Sequence, residues 1–233
     1  MSAFNQYFER DLDALMPRTS KRPFVTGELK PTILWPSLFL IISLSGLSIS
    51  FIFLNPFSCF YNFLGALVYG LFYTVWLKRK SIWNIVIGGL AGSFATLAGS
   101  AAVDPILAPE AIILSVILFL WTPPHFWSLA IAIGDDYRKA NIPMLPNFLS
   151  NSLTSYIILF HTIILVCVMS LLIFYNASIF YVIAVLLGGG YFIWTSIILA
   201  VKKSKAAAMS NFFGSFVQLG LLLLLIIIDG III

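Results

Sequence analysis

Seven apolar stretches, each long enough to cross a bilayer, constrain this chain more than any other feature. They cover about residues 33–54, 58–77, 82–102, 109–132, 153–174, 178–200 and 211–232. A spanning helix takes roughly 20 predominantly apolar residues. In hydrocarbon every backbone amide must be satisfied within the protein, so spans of this composition fold as helices. A hydrophobic fraction of 61% and a mean hydropathy of +1.03 exceed what a soluble core needs. The expected fold is all-α: a polytopic membrane helical bundle with seven complete spans, in which residues 1–8 are the tail of another. The lipid bilayer is its first partner.

The loops fix an orientation. Numbered alternately, one side receives residues 9–32, 78–81, 133–152 and 201–210, which hold all 13 Lys and Arg of the chain. The other side receives the loops near 55–57, 103–108 and 175–177 and the C-terminus, and holds none. The positive-inside rule places the basic side in the cytoplasm of a bacterial inner (plasma) membrane, with the mitochondrial matrix as the alternative. A net charge of +4, divided among loops, does not argue for nucleic acid. Cys59 and Cys167 lie in apolar stretches and suggest neither a disulfide nor a metal framework. The N-terminus turns polar within a few residues, which does not suit a cleavable signal peptide.

Chemistry concentrates in Asn5 to Lys30, which packs four acids and five bases into 26 residues. Asn5, Glu9 and Asp13 are spaced i, i+4, i+8. Each step of four turns about 40° around a helix, so the three line one face. Asp11 falls off that face. Pro17 is expected to end the helix, and Arg18, Lys21 and Arg22 follow in a loop stiffened by Pro23. Oxygen ligands followed by cations can hold a divalent metal and the polyanion it chelates. The same pattern also suits a solvated, charged loop between membrane helices.

A second charged segment, GDDYRKANIPMLPN at 133–146, falls on the same side, with Asp135 and Asp136 as its acids. The two segments are expected to share one site. The preceding span carries WTPPHFW, where Pro123 and Pro124 are expected to kink or open the helix. If that helix continues, His125 shares a face with Asp136 and lies about 16 Å deeper. A histidine at membrane depth is a functional candidate, although a structural hydrogen bond also explains it. His161 reads as structural. Gly88–Gly92 and Gly89–Ser93 form small-xxx-small pairs that favour helix packing. Asn84 sits one turn from Lys80. The last two spans carry no evident chemistry, and Asp229 is expected at the interface.

These residues resemble a known family. NQYFERDLDALMPRTSKRP resembles the first signature of the UbiA superfamily of intramembrane prenyltransferases, in which Asn-x3-Asp-x3-Asp ends a helix. WNIVIGGLAGSF, WTPPHFWSLA and DDYRKANIPMLP resemble its heme O synthase branch. The resemblance implies nine transmembrane helices around a central cavity, the first and most of the second having no counterpart in this sequence. It implies transfer of a farnesyl group from farnesyl diphosphate to a vinyl group of heme b. The metal is then Mg2+, and heme A synthase or terminal oxidase assembly stands downstream. Carried over by position, Asn5, Glu9, Asp13 and Asp136 are the implied metal-holding catalytic residues, with glutamate at the middle position where aspartate is frequent. Arg18, Lys21, Arg22, Lys78 and Arg79 are implied to meet the diphosphate. Asn84, His125, Asp135 and Tyr137 complete the implied substrate contacts. One departure is Ala132-Ile133-Gly134, where the family usually has basic residues.

Other readings remain open on the residues alone. A relative could prenylate another acceptor, such as an aromatic quinone precursor, or persist as a truncated non-catalytic partner of an oxidase. A transporter or channel predicts ionisable residues lining several spans near the midplane. Here only His125 and His161 lie at depth.

Overall fold

The computed structural model describes residues 2–175 and 178–232, and among them every regular element is a helix. Seven helices are long and apolar enough to cross a membrane: Leu34–Leu54, Pro56–Arg79, Asn84–Val103, Pro109–Ala132, Asn151–Tyr175, Ile179–Lys202 and Lys205–Ile232. The chain is a multi-pass membrane protein. Six spans lie close to their expected bounds. The seventh begins at Lys205 rather than near 211, because Lys203 takes a left-handed turn (φ 51°) and the Ser204 hydroxyl accepts from the Ala207 amide. The expected loop near 175–177 includes residues outside the described ones.

The chain divides into two compact units, one running to Leu107 and including Asp135–Met144, the other comprising Ala108–Gly134 and the chain from Leu145 on. The first unit opens with α1 (Ser2–Phe8) and α2 (Arg10–Ala14), separated only by Glu9. The ladder survives that break, since the Glu9 amide donates to the Asn5 carbonyl at 2.9 Å and the Asp13 amide to the Glu9 carbonyl at 2.8 Å. The expected Pro23 loop contains one helical turn, α3 (Pro23–Thr26). It starts with proline at its first position and stops at Gly27, whose φ of 83° suits glycine. Phe24 and Trp35 pack edge to face, as do Tyr7 and Phe24, tying this region to α4 (Leu34–Ile49).

The helix α5 (Pro56–Leu67) passes into a π-helical stretch, Val68–Trp76, and packs antiparallel on α6 (Asn84–Val103). Asn55 caps α5 by accepting from the Ser58 amide, and the Ser58 hydroxyl donates to the Ala98 carbonyl. At the opposite end Tyr73 fills the notch left by Gly88, where a Cβ would lie 2.7 Å from the ring. This is the close approach expected of the glycine pair, but only at Gly88. A Cβ on Gly92 would meet open space.

In the second unit, α7 (Pro109–Ala132) runs through both prolines without interruption. It ends at Ile133 (φ −119°, ψ 34°), and a separate short helix, α8 (Gly134–Lys139), follows in the first unit. The condition under which His125 and Asp136 would share a face, a helix continuing beyond its expected end at 132, is not met: the backbone leaves helical geometry between them. After α9 (Leu145–Phe148), α10 (Asn151–Tyr175) packs on α7. The α11 helix (Ile179–Ile183) then leads through a π-helical stretch into α12 (Gly190–Lys202) and α13 (Lys205–Ile232). Ile117, Leu165, Met169, Phe192 and Leu222 form the centre of this core.

The last two spans, expected to carry no chemistry, contribute a buried polar layer. The Asn211 amide donates to Ser128 and its carbonyl oxygen accepts from Thr195 and Ser196. Asp229, expected at the interface, is also buried.

Candidate active site

The face predicted from the i, i+4, i+8 spacing exists and points inward. Asn5, Glu9 and Asp13 are 8%, 1% and 1% exposed. Each acid meets one cation. Lys78 pairs with Glu9, and the Arg22 guanidinium lies 2.7 Å from Asp13. Asp11, off that face, is exposed and holds Arg79 through two bonds of 2.7 Å. The separation into a buried row and an outer pair follows from the helical period alone.

Burial dominates the electrostatics of Glu9. It pushes the carboxyl above its ordinary value, with Lys78 opposing and the neighbouring Asp13 adding to the rise. The hydrogen bond from Arg79 holds Asp11 below the usual carboxylate range. A buried carboxylate deprived of its partner costs about 3–5 kcal/mol, so Lys78 and Arg22 stabilise the row as it stands. One atom is left over: Glu9 Oε1 is buried without a hydrogen bond. An orphaned carboxylate oxygen beside a second buried carboxylate and an amide fits a hard divalent cation. Among the described residues, no three His, Cys, Asp or Glu side chains stand close enough to hold an ion. Asp136 is thus not drawn into a cluster with Glu9 and Asp13.

Arg18 and Lys21 are exposed, and among the described residues they form no salt bridge. They remain available to a polyanion, whereas Arg22, Lys78 and Arg79 are each held by an acid.

The second charged segment belongs to the same unit as the first. Tyr137 is buried and lies within electrostatic reach of Tyr73, Arg18 and Lys78. Its phenol is pushed up by burial first and by Tyr73 next. Asp136 beside it is half-buried, and Asp135 faces outward against Arg138. Asn84 is fully buried and anchors the segment. Its amide donates to the Pro143 carbonyl at 2.7 Å and to the Ser81 carbonyl at 2.6 Å, leaving Oδ1 unpartnered.

Sequence reasoning missed Tyr69, Tyr73 and Thr74. The Lys78 ammonium lies 5.6 Å from the centre of the Tyr73 ring, and Tyr69 and Tyr73 lie 5.8 Å apart. Thr74 receives a long bond from the Asn5 amide, at 3.4 Å, and donates to the Tyr69 carbonyl. The available signal was Tyr-x3-Tyr one turn before a basic cluster, which reads as ordinary span.

In the second unit, His125 is buried and stacked on Trp121 at 4.1 Å, with Phe212 at 4.5 Å. Its Nδ1 lies 2.7 Å from the Ser215 hydroxyl, which donates its own hydrogen to the Phe212 carbonyl. The hydroxyl can therefore only accept from the imidazole. A neutral His125 carries its proton on Nδ1 and its lone pair on Nε2. His161, read as structural, packs edge to face on Trp127.

Comparison with known proteins gives a consistent result. The profile described as the UbiA prenyltransferase family matches residues 1–217. A Paramagnetospirillum magneticum protein named Protoheme IX farnesyltransferase 2 is 49% identical over 97% of this chain and 79% of its own length. A second protein of that organism, Protoheme IX farnesyltransferase 1, is 47% identical over 71% of this chain, but the match spans only 58% of it. Two solved structures share the fold. One, of a digeranylgeranylglyceryl phosphate synthase, has a TM-score of 0.78 at 21% identity and covers 97% of this chain and 78% of its own. The other, a UbiA homolog from Archaeoglobus fulgidus bound to DMAPP and Mg2+, has a TM-score of 0.64 at 16% identity and covers 94% and 81%.

Proposed function

The chain belongs to the UbiA prenyltransferase family, and from that membership we propose that it transfers a farnesyl group from farnesyl diphosphate to a vinyl group of heme b, giving heme O. The observation that carries the site is the buried row of Asn5, Glu9 and Asp13, with its orphaned oxygen and its flanking cations. The name of the 49% identical relative supports heme as the acceptor. The Archaeoglobus fulgidus homolog, solved with DMAPP and Mg2+, supports a divalent ion.

Asn5, Glu9 and Asp13 would hold Mg2+. When bound, the ion supplies positive charge to the diphosphate leaving group. The chain's own part is to bind the diphosphate and neutralise its charge. Arg18 and Lys21 meet the diphosphate, and Arg22, Lys78 and Arg79 stand at the acids ready to turn toward it. As the C1–O bond breaks, its electron pair leaves on a diphosphate oxygen facing these donors. The vinyl π electrons then attack C1, water adds to the resulting cation, and a proton is lost. Tyr69 and Tyr73 place aromatic faces beside the charged row, where a developing carbocation is stabilised. Asn84 holds the segment bearing Asp135, Asp136 and Tyr137. The one-sided distribution of Lys and Arg supports charged loops that face the cytoplasm, or the matrix of a mitochondrion. Heme O would pass to heme A synthase or to terminal oxidase assembly.

The test uses the purified chain in detergent with labelled farnesyl diphosphate and Mg2+, offered heme b or an aromatic acid. Label is expected in the heme fraction and is lost on chelation of the metal. Label in the aromatic acid alone would overturn the choice of acceptor.

A further inference from the structure

Thr74 lies in the π-helical stretch Val68–Trp76 and is 1% exposed. A hydroxyl has one hydrogen to give, and Thr74 gives it to the Tyr69 carbonyl at 2.8 Å. Toward any other partner it can then only accept. Asn5, 69 positions away in the sequence and also buried, supplies that bond from Nδ2 at 3.4 Å. The chain of bonds therefore has a direction, from the Asn5 amide to the Thr74 hydroxyl and from there to the Tyr69 carbonyl.

That direction distinguishes the two ends of the Asn5 amide. One end donates and the other accepts, and only Oδ1 can hold a cation. Turned over, the amide would set Oδ1 against the Thr74 oxygen with no hydrogen between them. The Thr74 bond disfavours that state and leaves Oδ1 as the end that points away from Thr74. It does so on the helical face that also carries the orphaned Glu9 Oε1. Glu9 and Asp13 need no such help, because the two oxygens of a carboxylate are equivalent. The π register takes part as well. In an α-helix a threonine hydroxyl returns to a carbonyl three or four residues back. Here it returns five, to Tyr69, the spacing of a π-helical turn.

We infer that Thr74 is a positioning residue for the divalent ion: it fixes the Asn5 amide so that Oδ1 is free to join Glu9 and Asp13 around the metal. The inference rests on the proposed function and adds a residue that acts through Asn5. Removing a group that orients a metal ligand typically costs about 10–100-fold in metal affinity.

The test measures binding of inorganic diphosphate, with and without Mg2+, to the full chain in lipid nanodiscs. Thr74→Val keeps the branched shape and removes the hydroxyl, and thermal unfolding checks that the fold persists. The affinity gained from Mg2+ is expected to fall by about tenfold, while binding without Mg2+ stays unmodified. Thr74→Ser keeps the hydroxyl and should retain the gain. In an Asn5→Ala background Thr74→Val should cost nothing more, because the two residues act as one unit. A merely structural role would lower the gain in both backgrounds. A structure of the unmodified chain with Mg2+ and inorganic diphosphate needs no variant. It should place the ion about 2.1 Å from the Asn5 amide atom opposite Thr74. A folded Thr74→Val protein with an unmodified Mg2+ gain, an equal loss in the Asn5→Ala background, or an ion not bound to that atom would overturn the inference and leave the function standing. An unmodified chain whose diphosphate binding does not depend on Mg2+ would overturn both.

Discussion

Glu9 and Asp11 are two residues apart and live in different media. Glu9 is 1% exposed and pairs with a largely buried Lys78, while Asp11 faces outward against Arg79. Their consequences should differ accordingly. Glu9→Gln removes a buried charge that offers an orphaned oxygen to a metal, and it leaves Lys78 unpaired. Mg2+-dependent binding of diphosphate is expected to fall by about tenfold or more, and heme O formation by about a hundredfold, the usual scale for losing one group that stabilises developing charge. Asp11→Asn breaks an exposed pair worth about 0–1 kcal/mol and should leave diphosphate binding within about twofold. Calorimetric titration of diphosphate with and without Mg2+ checks both. The row itself was legible in the sequence, because a period of 3.6 fixes which oxygens share a face. Its partners were only partly so. Arg22 is near in sequence, but Lys78 reaches Glu9 across 69 positions, and no local pattern encodes that.

At the scale of elements, the spans were legible and their irregularities were not. Length and hydropathy select seven helices because the bilayer has one thickness. The π-helical stretch Val68–Trp76, which brings Tyr69, Tyr73 and Thr74 to the charged row, leaves no compositional mark. The end of α7 at Ala132 was legible, because the apolar run stops there; the short helix Gly134–Lys139 beyond the break was not, because a charged segment in an expected loop does not announce a helical turn. The Gly88–Gly92 pair divides instructively. A spacing rule assigns both glycines to packing, and the fold uses only the first that way. Gly88→Ala would put a Cβ 2.7 Å from the Tyr73 ring, which must then move. We expect a loss of about 1–3 kcal/mol in stability, as for other overpacked contacts, together with weaker binding of farnesyl diphosphate. Thermal unfolding and a binding isotherm on the same preparation read the two effects.

At the scale of the whole molecule, the sequence organises charge before it organises packing. All 13 cations fall in the loops of one expected side, and the two acidic segments that follow that rule belong to one compact unit. The second unit is apolar at its core but keeps a buried polar layer around Asn211, with His125 held by Ser215. That layer was invisible in the sequence, because single polar residues scattered over three spans acquire meaning only when the helices place them together. Together these features describe an enzyme that farnesylates heme. Its most direct test is heme extraction, with mass spectrometry, from membranes of a bacterium that lacks heme O synthase and expresses this chain. Heme O is expected in those membranes, and only heme b when Glu9→Gln and Asp13→Asn are combined. Heme b alone, with the unmodified protein shown to be present and folded in the membrane, would contradict it.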